Sequence, residues 1–270
     1  MNIFDITGKV AIVTGGNGAL GGGMAHALAA AGAKVVVLGR NPKTVATRVD
    51  EIKSKGGTAL GFAADVLNRN RLIEVKGEIL DAFGTIDILV NCAGGNIKEA
   101  LVMPEDSFFD MSLEANQRVM DLNFQGTMLP TQVFGEVMFA KKSGSIINIG
   151  SASVPHAITR VLGYSVSKAA AENFTRWLAV EFATKYGDGI RVNTIRPGFF
   201  LGEQNRTSLI NPDGSPTERG QRVIRQTPMG RFGEPEELGG TVIFLASDAS
   251  KFVTGEVINV DGGLNAFSGV

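Results

Sequence analysis

The chain has 270 residues, 44% of them hydrophobic, which is enough to bury one sizeable core in a single undivided α/β domain. Its formal charge is −1, from 26 basic and 27 acidic residues, which argues against nucleic acid or an acidic membrane surface as a partner. Cys92 is the single cysteine and the two histidines, His26 and His156, lie far apart, so neither a disulfide framework nor a metal site is expected. The opening stretch MNIFDITGKV lacks the basic and long apolar regions of a signal peptide, and no apolar run reaches membrane-spanning length. A soluble, cytoplasmic protein is predicted.

The first strand is predicted near Val10–Val13, and it turns into a helix over Leu20–Ala31 through Thr14-Gly15-Gly16-Asn17-Gly18-Ala19-Leu20-Gly21. A glycine-rich strand-to-helix turn lets backbone approach a pyrophosphate, whose charge the helix N-terminal amides meet. A tight turn with no ligand is the alternative reading. The second strand, Val35–Leu38, ends at Gly39-Arg40, where a dinucleotide-binding fold recognises the adenosine ribose. An acid there would accept the hydroxyls of NAD; an arginine can pair with the extra phosphate of NADP, so NADP(H) is favoured over NAD(H). Arg40 as a solvated loop residue stays open.

Asn41-Pro42 supplies a cap and a helix-compatible first residue for a helix over Lys43–Lys55. A strand over Ala59–Ala63, a helix over Arg69–Phe83, a strand over Ile86–Val90 and one long helix over Leu113–Lys141 follow. The strand Ser145–Ile149 leads to Ser151, placed where ligands gather in open α/β sheets, or else simply a turn or cap serine. In the helix Tyr164–Lys185, Tyr164 and Lys168 stand at i,i+4 on one face. An ordinary tyrosine has a pKa near 10, so a neighbouring ammonium would favour its phenolate; an exposed helical pair is the plain alternative. The strand Arg191–Ile195 is followed at 199–226 by a polar segment predicted to act as a lid, containing Asn211-Pro212-Asp213-Gly214. A helix over Pro235–Leu245 and a strand over Val257–Val260 close the chain. The whole of 1–270 therefore reads as a single-domain, Rossmann-like, doubly wound parallel sheet of about seven strands flanked by helices.

At these residues the sequence resembles the short-chain dehydrogenase/reductase family over nearly its whole length. Besides the glycine turn and Tyr-x-x-x-Lys, the matching pieces are Asp65-Val66, Asn91-Cys92-Ala93-Gly94, Asn123 within Asp121-Leu122-Asn123, Ser151, Pro197-Gly198 and Asp261-Gly262-Gly263. The resemblance implies a catalytic tetrad of Asn123, Ser151, Tyr164 and Lys168. It implies a cofactor site of Gly15, Asn17, Gly18, Ala19, Leu20, Gly21, Arg40, Asp65, Val66, Asn91, Ala93, Gly94, Tyr164, Lys168, Pro197 and Gly198, with no metal. It also implies hydride transfer between a nicotinamide and a carbonyl or secondary alcohol. Lys168 would lower the tyrosine pKa, Ser151 would orient the substrate oxygen and Asn123 would hold a relay water. By the same resemblance, the long helices Leu113–Lys141 and Tyr164–Lys185 would offer the surfaces of a homotetramer.

The turn departs from the family pattern, because Thr-Gly-x-x-x-Gly-x-Gly would need glycine at Ala19; the glycines at 15, 18 and 21 match the longer, sugar-nucleotide-modifying relatives. Cys92 stands where asparagine is commoner and reads as a small buried residue. Arg196 before Pro197-Gly198 is also unusual. Arg206, Arg219, Arg222 and Arg225 on the predicted lid, with Lys98, His156 and Arg160, suit a small polar, anionic carbonyl substrate. The turn, the Pro-Gly-Phe-Phe-x-Gly-Glu-Gln-Asn-Arg stretch, Thr-Pro-Met-Gly-Arg-Phe-Gly and the terminal Ser-Gly-Val look like the D-mannonate oxidoreductase (fructuronate reductase) subgroup. Alternatives are a 3-oxoacyl-thioester reductase, an epimerase, suggested by the glycine spacing, and a non-catalytic NADP(H)-binding regulator.

Overall fold

The computed structural model describes residues 2–269, with the backbone alone at 203 and 204; Val270 of the terminal Ser-Gly-Val lies outside them. β1 (Val10–Thr14), β2 (Lys34–Gly39), β3 (Thr58–Ala63), β4 (Ile88–Asn91), β5 (Gly144–Ile149), β6 (Ile190–Pro197) and β7 (Val257–Val260) form one parallel sheet in the order β3-β2-β1-β4-β5-β6-β7. The predicted seven-stranded, doubly wound single-domain fold is the one observed.

Parallel strands covered on both faces need apolar side chains on both. β1 satisfies this along its whole length: Val10, Ala11, Ile12 and Val13 are all at 0% exposure. Alternate residues then feed two cores. Ala11 and Val13 join Val35, Val37, Ile88 and Val90 beneath α1 (Ala19–Ala30), α2 (Pro42–Ser54) and α9 (Gly239–Ala246). Val10 and Ile12 join Val36, Leu38 and Leu89 beneath α3 (Arg69–Phe83), α5 (Gly126–Ala140) and α6 (Leu162–Tyr186). Asn41 caps α2, its side chain accepting from the Lys43 amide at 3.0 Å, with Pro42 in the first turn as expected.

Three predicted elements need correction. The expected single helix over Leu113–Lys141 is α4 (Leu113–Met120), a π-helical turn over Asp121–Gln125, and α5. The interruption lies where Asn123 turns its amide to loop backbone 28 residues away, a long-range bond that local periodicity does not carry. The expected polar loop at 199–226 is two helices, α7 (Glu203–Leu209) and α8 (Glu218–Gln226), around a small core of Leu209, Val223 and Phe232. Thr217 caps α8, accepting from the Gly220 amide at 3.0 Å, and Glu218 suits its first turn. The helix expected over Pro235–Leu245 is a 3₁₀ turn, Pro235–Leu238, followed by α9. Among the described residues no helix is long and apolar enough to cross a membrane, and no group of three His, Cys, Asp or Glu is placed to hold a metal ion.

Candidate active site

The chain order reverses between β1 and β4, where doubly wound sheets open a crevice at their C-terminal ends. Thr14, fully buried at the end of β1, ties the two edges: its hydroxyl oxygen accepts from the amides of Cys92 and Ala93, each at 3.1 Å. Gly15 has φ +65°, and a Cβ there would lie 2.9 Å from the Ala93 backbone. A Cβ on Gly21 would overlap the Gly15 carbonyl. The turn and the start of α1 are therefore pressed together by glycine alone. Gly18, the N-cap of α1, supplies no side-chain cap, so the first-turn amides remain available to an anion. Ala19 begins this helix without distorting it, and its Cβ is 3.6 Å from the point where a Gly202 Cβ would stand. The spacing at 15, 18 and 21 thus builds a phosphate-compatible turn.

Farther along the crevice, the Asn17 amide donates to the Thr44 hydroxyl at 2.8 Å, while Arg40 is exposed and forms no ion pair among the described residues. Asp65 follows β3, its carboxylate accepting from the Leu67 amide at 2.9 Å, in an open concavity shared with Leu67, Asn68 and Arg69; Val66 is buried beneath. Asn91 is buried and donates to Thr131 at 2.8 Å and to Asn148 at 2.9 Å. Asn148 in turn donates to Thr175 at 2.8 Å, and Thr194 reaches the same hydroxyl at 2.9 Å. This polar chain links β4, β5, α6 and β6 across the interior. Asn123, at 0% exposure, accepts from the Gly95 amide at 2.9 Å and donates to the carbonyls of Gly95 and Val119 at 2.7 and 2.8 Å. Its side chain is committed to shaping the loop at Gly94-Gly95, where a Cβ on Gly94 would come within 2.6 Å of its oxygen.

α6 begins at Leu162 and carries Tyr164 and Lys168 on one face. Lys168 is buried, its ammonium donating to the Ile149 carbonyl at 2.8 Å and lying 5.6 Å from the centre of the Tyr164 ring. Burial pulls its pKa down to about 8, against the opposing attraction of Glu172. Burial also pushes the Tyr164 phenol upward, while a hydrogen bond with Ser151 acts the other way. Helical spacing brings the Lys168 ammonium to the tyrosine ring, while burial sets the upward direction of the phenol. The Ser151 hydroxyl accepts from the Ser153 amide at 3.1 Å and from its hydroxyl at 3.0 Å. Burial pushes the Cys92 thiol up to about 11, in keeping with an inert residue.

Arg196 has a structural reason. Its guanidinium grips Glu172 with two bonds, 2.8 and 2.6 Å, and reaches Asn259 at 3.1 Å. Glu172 is 1% exposed, so without Arg196 its charge would be buried alone. The pair fastens α6 to β6 just before Pro197-Gly198. Of the seven candidate cations, Arg222 is bound to Glu218, Lys98, His156, Arg206 and Arg225 are exposed, and Arg160 and Arg219 are half-buried. Two further buried amides lie near the site, on Asn96 and Asn116. The Asn96 amide nitrogen and the Asn116 amide oxygen are both buried with no hydrogen-bond partner. Asn96 follows Gly94-Gly95, and Asn116 abuts Gly163 next to Tyr164; no motif marks either residue.

The family described as enoyl-(acyl carrier protein) reductase matches residues 16–265. An oxidoreductase of Bacillus subtilis named UxuB, of uncharacterised activity, is 46% identical over 98% of both chains. A 3-oxoacyl-[acyl-carrier-protein] reductase of Synechocystis is 36% identical over 97% of this chain and 99% of its own. A crystal structure from Haemophilus influenza, provisionally named a D-mannonate oxidoreductase and holding NAD, superposes with a TM-score of 0.91 at 40% identity over 98% of each chain. Fold and relatives together define a nicotinamide-dependent oxidoreductase acting on CH–OH groups. The chain belongs to the short-chain dehydrogenase/reductase family.

Proposed function

We propose that this protein reduces the ketone of a hexuronate-derived ketose acid, D-fructuronate, to the alcohol of D-mannonate, with NADPH favoured over NADH. The observation that carries the reaction is the Ser151–Tyr164–Lys168 arrangement at the C-terminal ends of β5 and α6's first turns, beside a glycine turn that leaves the α1 amides free. The substrate class rests on likeness to the Haemophilus chain of that provisional name and on the half-buried Arg160, four residues before Tyr164, and Arg219, bonded to neighbouring Thr159. The coenzyme preference rests on Arg40, exposed and unpaired among the described residues at the end of β2, with no acid at that strand end. NAD in the Haemophilus crystal makes this preference the part most open to test.

The residues fit the coenzyme: Gly15, Asn17, Gly18, Ala19, Leu20 and Gly21 at the pyrophosphate, Arg40, Asp65 and Val66 around the adenosine, and Asn91, Ala93, Gly94, Pro197 and Gly198 toward the ring. When bound in its reduced form, the nicotinamide supplies the hydride. Ser151 orients the substrate carbonyl, and the Tyr164 hydroxyl gives its proton to the oxygen as negative charge builds. A phenol raised by burial is suited to that donation. Lys168, held by the Ile149 carbonyl, keeps positive charge beside the developing alkoxide, and Asn123 positions the Gly94-Gly95 loop. The partnerless Asn96 nitrogen offers a donor to a substrate hydroxyl. The α7–α8 segment within 199–226 serves as the substrate lid, and α4–α5 and α6 as surfaces of a homotetramer.

A 3-oxoacyl-thioester reductase is the second reading, favoured by the Synechocystis relative. Steady-state kcat/KM for D-fructuronate and for an acetoacetyl thioester, each with NADPH and NADH, separates them. The proposal expects fructuronate with NADPH to give the highest value. Thioester-only activity overturns it.

A further inference from the structure

Half-buried arginines without carboxylate partners keep guanidinium donors open to an anion. The segment between β5 and α6 brings Arg160 four residues before Tyr164, in a left-handed conformation with φ +77° that side chains other than glycine rarely adopt. The Arg160 carbonyl accepts from the Val102 amide at 3.1 Å, which fixes this turn to the stretch after β4. Its neighbour Thr159 accepts from the Arg219 guanidinium at 3.0 Å, a contact spanning 60 residues. Arg219 sits in the first turn of α8, where the helix dipole disfavours a cation. Burial and the nearby Arg160 charge both lower its pKa. Among the described residues neither arginine forms an ion pair, although Arg222 on the same helix is bound to Glu218.

We infer that Arg160 and Arg219 form a carboxylate subsite that selects an acidic sugar substrate, with Thr159 aligning the Arg219 fork. A left-handed turn, a helix N-terminus and two like charges come together there, and one carboxylate would offset the like charges while accepting the planar donors that guanidinium presents. The subsite rests on the sugar-acid reading above and names the residues that recognise the acid. Arg206, Arg222 and Arg225, exposed on the same lid, take no part in it.

The test uses the whole enzyme with D-fructuronate and NADPH. Arg219→Met and Arg160→Met each raise KM about 100-fold, with NADPH affinity unchanged. Arg219→Lys recovers part of the loss, and free guanidinium ion lowers the KM of Arg219→Ala, which lost packing alone would not allow. Wild-type-like KM in both Met variants overturns the subsite and leaves the sugar-acid reading standing. If the wild type does not turn over fructuronate, that reading falls, and D-gluconate binding to the NADPH-loaded protein by calorimetry becomes the test. Binding lost in both Met variants supports the subsite; equal binding, or none by the wild type, overturns it.

Discussion

The two sides of the cleft are built by different means. The β1–β4 side, around the glycine turn, is made of backbone: Gly15 and Gly21 let main chain touch main chain, and Thr14 stitches two strand ends together. The β5–β6 side is made of side chains brought in from distant segments: Lys168 on the Ile149 carbonyl, Glu172 on Arg196, and Arg219 on Thr159. A surface of backbone amides suits a phosphate common to many reactions, whereas a surface of side chains can be changed to suit one substrate. One fold can therefore keep its coenzyme and vary what it reduces.

Replacing Tyr164 with Phe breaks the comparison most sharply. Turnover should fall about 10³-fold, the range of a lost general acid, while NADPH binding followed by its fluorescence stays intact. A smaller effect of opposite pattern is expected on the other side. Gly21→Ala drives a methyl into the Gly15 carbonyl, so NADPH affinity should drop about 10-fold or more and unfolding free energy by about 2 kcal/mol, read by titration and denaturant melts. The third effect is graded by pH. Lys168 must hold its proton to support the alkoxide, so kcat for reduction should decline as pH rises through about 8, and Lys168→Arg should move that decline to higher pH. A flat profile from pH 7 to 10 would remove Lys168 from that role.

This division also governs what was legible in the sequence. Runs rich in Val, Ile and Ala placed all the strands, with β4 starting two residues later than expected, and Asn41-Pro42 marked the start of α2. Glycine spacing and Tyr-x-x-x-Lys are local patterns, so the turn and the helical pair were readable. The π-turn was not, since it depends on Asn123 reaching Gly95; Gly126 and Pro130 interrupt the helical pattern of Leu113–Lys141 without announcing that contact. At 199–226 the Asn-Pro-Asp-Gly signal outweighed Thr217-Glu218, a readable cap that announces α8. Arg160 and Arg219 stood as two among seven candidate cations because the contact that carries Arg219 to the turn at Thr159 is a tertiary event. Helical spacing gives the lysine's position beside the tyrosine, whereas the burial that raises the phenol comes from the rest of the fold.

The most direct test of the central claim is a stoichiometry: NADPH oxidised against D-mannonate formed, from D-fructuronate and purified protein. The account predicts one mole of each, with NADPH consumed for every D-mannonate produced. Fructuronate converted to an isomer with no net NADPH oxidation, or no conversion at all while an acetoacetyl thioester is reduced, would contradict it.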